Sequence, residues 1–181
     1  LHAHVSVRER CRLGARVEAP REQLPAVVQG PLRGGRVEVA GSISSQYFSG
    51  LMLSGSLERE LEIAVKGELV SAPFVRLTGA FMEQAGVRCE WLEEGRGDGA
   101  RLRGIRIPPR QVYRAREWHI EPDPVSASYF MAAAALTGGR CVIPGFAPNS
   151  PQGEARFPEV LRKMGCSVRQ GPEGLVVEGP A

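Results

Sequence analysis

No stretch of the chain approaches the roughly 20 consecutive apolar residues that a membrane-spanning helix requires. The longest such run in its second half is Tyr129 to Leu136, so no helix is expected to cross a bilayer. Cysteine is scarce and scattered: Cys11, Cys89, Cys141 and Cys166 form no Cys-x-x-Cys pair and have no histidines at ligand spacing. That removes a zinc site and a redox pair and leaves four free thiols, suited to a reducing cytoplasm. Lysine is almost missing too. Only Lys66 and Lys163 occur among 23 basic residues, and the 21 arginines are dispersed along a chain of net charge +3. A dispersed positive balance suits small anionic ligands and lacks the clustered stripe of a nucleic-acid binder; genomic base composition is the simpler source of the arginines. The start, Leu1-His2-Ala3-His4, has no basic segment followed by an apolar core. It reads as a cut edge rather than a signal peptide, and its two histidines as solvated residues rather than a metal site.

What is present is a core and a repeat. With 181 residues, 43% of them apolar, the chain is long enough for one globular domain with a real core, or for one domain and part of another. Arg12–Glu18, Gln84–Glu90 and Lys163–Arg169 share one pattern: a helix end, a glycine in the left-handed cap position, then an alternating strand. The glycines, Gly14, Gly86 and Gly165, are 72 and 79 residues apart. Ser44-Ser45-Gln46-Tyr47-Phe48 is echoed 82 residues later by Ser126-Ala127-Ser128-Tyr129-Phe130, and both lead into small or apolar helical runs. Further strands are expected at Arg36–Val39, Leu61–Val65, Arg101–Ile107, Arg116–Ile120 and Cys141–Ile143, with Arg96-Gly97-Asp98 as a hairpin turn and Met131–Leu136 as a packed core helix. Seventy to eighty residues per copy is too long for the common solenoids, so the fold class is α+β, built from copies of one supersecondary unit. The breakers concentrated in Pro144–Gly153 mark a hinge, after which one helix and two strands are expected.

The stretch GSISSQYFSG, residues 41–50, puts more hydroxyls at a helix start than capping needs. Ser42, Ser44 or Ser45 could each cap. The others, with the Gln46 amide, are left for an anion, because a helix N-terminus offers unpaired N–H groups and partial positive charge. Taken alone, this stretch is accounted for somewhat better by a plainly capped helix with surface serines.

The order of GSISSQYFSGLMLSG, VKGELVSAPFVRLTGAFMEQAGV, SASYFMAAAALTGG and NSPQGEARFPEVLRKMG resembles the 5-enolpyruvylshikimate-3-phosphate synthase family, from about Arg12 to the C-terminus. The resemblance implies a two-domain enzyme of repeated βαβαββ units, here residues 1–150 of a shikimate-3-phosphate-binding domain and 151–181 opening the second. It implies that Ser44, Ser45, Gln46 and Ser71 bind shikimate 3-phosphate, with Gln46 also near phosphoenolpyruvate. Arg10, in Val7-Arg8-Glu9-Arg10, matches an arginine that grips phosphoenolpyruvate, although Cys11 replaces the proline that follows it in the family. The reaction implied is attack of the 5-hydroxyl of shikimate 3-phosphate on C2 of phosphoenolpyruvate, then loss of phosphate, with no metal or organic cofactor. It further implies a cytoplasmic enzyme, monomeric at full length, with no nucleic-acid or membrane partner.

Three further positions depart from the family pattern. Ala72, Phe74 and Arg76 stand where a lysine, a tyrosine and an acid are usual. The family's acid and base groups fall outside the segments matched, so no catalytic residue is assigned, and the isolated chain is expected to be inactive. Glu121 and Asp123 read as a turn after a strand. Three alternatives stay open: a non-catalytic binding module of the same fold, a UDP-N-acetylglucosamine enolpyruvyl transferase, and nucleic-acid binding on a related architecture.

Overall fold

In a computed structural model the described residues are 13–18, 25–55, 58–95 and 100–180. Arg10, Cys11, the His2/His4 pair and the Arg96–Asp98 turn lie outside them. Two compact units are formed, Leu1–Arg116 and Glu117–Ala181.

The first unit contains one full repeat. Strand β3 (Gly35–Ala40), helix α1 (Ser45–Leu53), β4 (Leu61–Lys66), α2 (Ala72–Gln84), β5 (Glu90–Glu94) and β6 (Arg101–Ile107) follow in chain order. The sheet order is β3-β4-β6-β5, with β3 and β4 parallel and the other neighbours antiparallel. This is the expected βαβαββ unit. Alternation explains the strands: Leu61, Ile63 and Val65 are buried, while Glu62 and Lys66 point away from the core. Phe48, Leu51 and Met52 on α1, and Val75, Gly79 and Met82 on α2, are buried at helical spacing. Both helices thus contribute to the core formed with Val37, Val39 and Ile105. The opposite sheet face carries charge in register. Arg36, Glu62, Arg106 and Glu90 form one row across all four strands, with contacts of 3.2, 3.3 and 3.7 Å.

Ahead of this repeat, β1 (Arg16–Glu18) and β2 (Val27–Gln29) form an antiparallel pair after Gly14. The second unit holds α3 (Pro124–Thr137), β7 (Arg140–Ile143), a 3-10 turn at Gly153–Arg156, α4 (Phe157–Lys163), β8 (Ser167–Gly171) and β9 (Gly174–Glu178), in sheet order β7-β9-β8. That order reproduces β4-β6-β5 of the first unit. Gly14, Gly86 and Gly165 all have left-handed φ, of 100°, 91° and 92°, and each precedes an antiparallel strand pair. The spacing read from sequence therefore marks the same turn three times.

Two details differ from expectation. Arg116–Ile120 is not a strand; alternation supplies a face, but a strand exists only where a ladder forms. Helix α3 is packed on one stripe only. Ala127, Met131 and Ala134 are buried, whereas Leu136 is 85% and Tyr129 72% exposed, because the short sheet of this unit covers one helix face. The Pro144–Gly153 segment lies inside the second unit, where Ala127 and Met131 before it and Leu161 and Leu175 after it share one core. Among the described residues no helix is long and apolar enough to cross a membrane.

Candidate functional site

Strands β3 and β4 run parallel, so the helices that follow them start at the same end of the sheet. Their entry turns are tied by backbone hydrogen bonds. Gly41 N–H donates to the Lys66 carbonyl and Val70 N–H to the Gly41 carbonyl, both at 3.0 Å. Only glycine fits at position 41: a Cβ there would lie 2.5 Å from the Glu68 carbonyl oxygen. The close approach of the two turns is thus written into one residue, which sequence reading did not single out.

At the first helix start the choice among three serines is settled. Ser44 is the N-cap, in extended conformation, and its hydroxyl accepts from Gln46 N–H at 3.2 Å. Ser45 is the first helical residue, and among the described residues it is the only polar side chain that is buried, at 8% exposure. Ser42 lies in the preceding turn, exposed, and Gln46 is exposed as well.

The second start is built differently. Ser71 caps α2 with φ 56° and ψ 39°, left-handed for a non-glycine residue, and makes no side-chain capping bond. Such a conformation costs about 1–3 kcal/mol and persists only where the surroundings impose it. Its hydroxyl is exposed and unused by the helix. Phe74, one turn in, is 43% exposed. Arg76 is drawn to the sheet: it pairs with Glu93 and lies 4.3 Å from the centre of the Trp91 ring. The three departures therefore leave a methyl, a bare ring and a cation already partnered at this edge. Beside it a cavity of about 420 Å³ is lined by Gly67, Glu68, Leu69, Ala72 and Ala100–Arg103. It touches the second helix start and none of Ser44, Ser45 or Gln46.

The structure therefore brings Ser44, Ser45, Gln46 and Ser71 to one sheet end on two joined turns, while Arg10 lies outside the described residues. Asp123 proves to be the N-cap of α3, accepting from Val125 N–H, Ser126 N–H and, at 2.6 Å, the Ser126 hydroxyl. That hydroxyl, ahead of the backbone donors, holds its carboxyl below the usual range. Glu121 accepts from Ser150 Oγ at 2.5 Å and Gln152 Nε2 at 2.7 Å, joining the start of α3 to the breaker-rich segment. Both carboxylates hold the chain in place, but not as the expected turn after a strand, since no strand directly precedes them and Asp123 caps a helix. Cys89 and Cys166 are buried and unpaired, and Cys141 is half-buried and unpaired.

Comparison with known proteins adds a decisive observation. The family model for EPSP synthase (3-phosphoshikimate 1-carboxyvinyltransferase) matches residues 7–181. The chain belongs to the EPSP synthase family. Among EPSP synthase relatives, it is 38% identical over 156 residues to the chloroplastic 3-phosphoshikimate 1-carboxyvinyltransferase of Petunia hybrida, covering 85% of this chain and 29% of that protein. It is 40% identical over 164 residues to the enzyme of Erwinia tasmaniensis, covering 88% and 36%. With the enzyme of Methanoculleus marisnigri the identity is 35% over 155 residues, covering 85% and 35%. The chain thus spans about a third of the length of the curated EPSP synthases it matches, and the match includes both helix starts.

Proposed function

We propose that the whole protein transfers the enolpyruvyl group of phosphoenolpyruvate to the 5-hydroxyl of shikimate 3-phosphate, and that this chain supplies the phosphorylated-substrate half of the site. The observation that carries the reading is the pair of joined helix starts. Two N-termini emerge from neighbouring parallel strands, and each carries serine hydroxyls beyond what capping uses. Their dipoles and N–H groups favour an anion at that end of the sheet. Ser44, Ser45 and Ser71 then donate to the phosphate and ring hydroxyls of shikimate 3-phosphate, and Gln46, able to donate and accept, reaches toward phosphoenolpyruvate with Arg10. The new bond joins O5 to C2 of phosphoenolpyruvate through a tetrahedral intermediate, and the C2–O bond to phosphate then breaks. For the domain division, the core shared across residue 150 supports a passage between domains at the 116/117 junction rather than at 150/151. Unpaired thiols support a cytoplasmic setting.

A second reading, binding without turnover, is favoured by the engagement of Arg76 with Glu93 and Trp91 and by the absence of a hydroxyl at Phe74. One experiment addresses the half-site in both readings. Calorimetric titration of the chain with shikimate 3-phosphate is expected to show binding that a Ser44→Ala/Ser45→Ala variant weakens at least tenfold, since hydrogen bonds to a charged acceptor are worth about 1.5–3 kcal/mol each. A well-folded chain that binds nothing would overturn the assignment of this half-site.

A further inference from the structure

Two hydroxyls behind the helix starts take part in a contact that capping and core packing leave unexplained. Ser49 lies on α1 four residues after Ser45, and Thr78 on α2 seven residues after Ser71. Their Oγ and Oγ1 atoms are 2.7 Å apart in a part-buried position between the helices. Thr78 Oγ1 is also 2.9 Å from the Phe74 carbonyl oxygen, which can only accept. A threonine hydroxyl has one proton, and here it goes to Phe74. Ser49 must therefore be the donor to Thr78. The hydrogen bonds have one direction, from the Ser49 hydroxyl to the Thr78 hydroxyl to the Phe74 carbonyl. Phe74 N–H in turn donates to the Ser71 carbonyl at 3.1 Å. The chain of bonds begins on the helix that carries the serine pair and ends on the strained residue that opens the other helix.

Hydroxyls that bond back to a carbonyl one turn earlier are common in helices. Among the described residues three others occur, Ser54 to Gly50 and Thr137 to Ala133, both at 2.9 Å, and Ser128 to Val125 at 2.7 Å, none of them reaching a second helix. The Ser49–Thr78 contact differs in joining two helices. Apolar packing between α1 and α2 is non-directional and tolerates sliding of one helix along the other, whereas a 2.7 Å bond between short side chains sets their level. Together with the Gly41–Val70 tie between the entry turns, it attaches the helices at two heights.

We propose that Ser49 and Thr78 are positioning residues: a hydroxyl clamp that sets the separation of the two helix starts so that Ser44, Ser45, Gln46 and Ser71 address one phosphorylated ligand. The inference rests on the half-site reading above and goes beyond it in assigning residues that touch no ligand.

The test uses the full chain, with Ser49→Ala, the isosteric Thr78→Val, the double variant and the conservative Thr78→Ser, each titrated with shikimate 3-phosphate. Ser49→Ala and Thr78→Val are expected to weaken binding roughly threefold to tenfold, the range set by one net hydrogen bond. The double variant should lose no more than the worse single, because the pair acts as one unit. Thr78→Ser should keep wild-type affinity. Ser54→Ala, which removes a back-bond of the same kind at the far end of α1, should leave affinity unchanged. Amide resonances of Ser71 and Phe74 should shift in Ser49→Ala, although the substitution is on the other helix.

Unchanged affinity in Ser49→Ala and Thr78→Val, additive losses, or an equal loss in Ser54→Ala would overturn the clamp while leaving the half-site standing. Failure of the wild-type chain to bind would instead remove the half-site, and the positioning role with it. Unmoved Ser71 and Phe74 resonances would show that the clamp is not formed.

Discussion

At the scale of single residues, polar and ionisable groups separate into those the fold holds inert and those it leaves available. Cys89 is the clearest inert one. Its thiol lies 3.9 Å from the Met82 sulfur, and burial first, then the Glu83 charge, pushes it from its ordinary 9.0 up to about 11. The thiolate is the reactive form, so Cys89 should resist iodoacetamide in the folded chain at pH 8 and be alkylated only on unfolding, as peptide mass spectrometry would show. The sign of the pH effect follows. An acid whose folded pKa lies above its unfolded value adds stability that is whole below about pH 9 and is lost as pH rises toward 11. The thermal midpoint should accordingly fall over that window, and fall less in Cys89→Ala; rapid alkylation of native Cys89 would contradict this account. Ser45 and Ser71 are the available kind. One is the sole buried polar side chain among the described residues, and the other is held in a costly conformation with its hydroxyl unused by its own helix. Neither property is visible in the sequence, where both are simply serines in small-residue stretches.

At the scale of elements, α2 is the piece that needs most from its surroundings. Its start is strained, and its middle lies so close to β5 that a Cβ on Gly79 would fall 2.4 Å from the Trp91 ring. That ring packs against the core while Arg76 covers its face, so it cannot swing aside freely. Gly79→Ala is therefore expected to destabilise by about 1–3 kcal/mol through overpacking, even though alanine is the better helix former. Chemical denaturation would measure it, and a stabilised variant would mean that α2 sits farther from the sheet. Elements were also where sequence reading succeeded most. Arg101–Ile107 is a strand with the expected bounds and most other expected strands differ by a residue or two, because alternation and cap signals are local, whereas the strand expected directly after Gly86 begins only at Glu90. It failed at Arg116–Ile120, whose alternation is as good but which joins no ladder, and it passed over the three-residue β2, too short to carry a period.

At the scale of the molecule, the chain has one complete βαβαββ unit and a second unit that repeats the last three strands of the same sheet plan. It spans about a third of the length of the curated relatives it matches. The isolated chain should therefore bind without turning over. Phosphate release from phosphoenolpyruvate in the presence of shikimate 3-phosphate is expected to stay at the uncatalysed rate, and measurable turnover would place general acid and base groups within these 181 residues. The exposed face of α3, with Tyr129, Phe130 and Leu136, corrects the expectation of a fully packed core helix. An apolar run announces burial on some face without saying how many faces the fold covers.

The division between what residues announce and what folding decides is therefore a division by distance along the chain. Strand alternation, a helix start within Ser42–Ser45, and left-handed glycines at 14, 86 and 165 depend on a few neighbouring residues, and the sequence alone determines them, whereas the choice of Ser44 and the cap at Asp123 came from the structure. The parallel pairing of β3 with β4, the seating of Gly41 against Glu68 and the bond between Ser49 and Thr78 join residues 26 or more positions apart. No local pattern encodes those meetings. They follow from two parallel strands delivering two helices to the same end of one sheet, and only the tertiary structure could place the serines of both together.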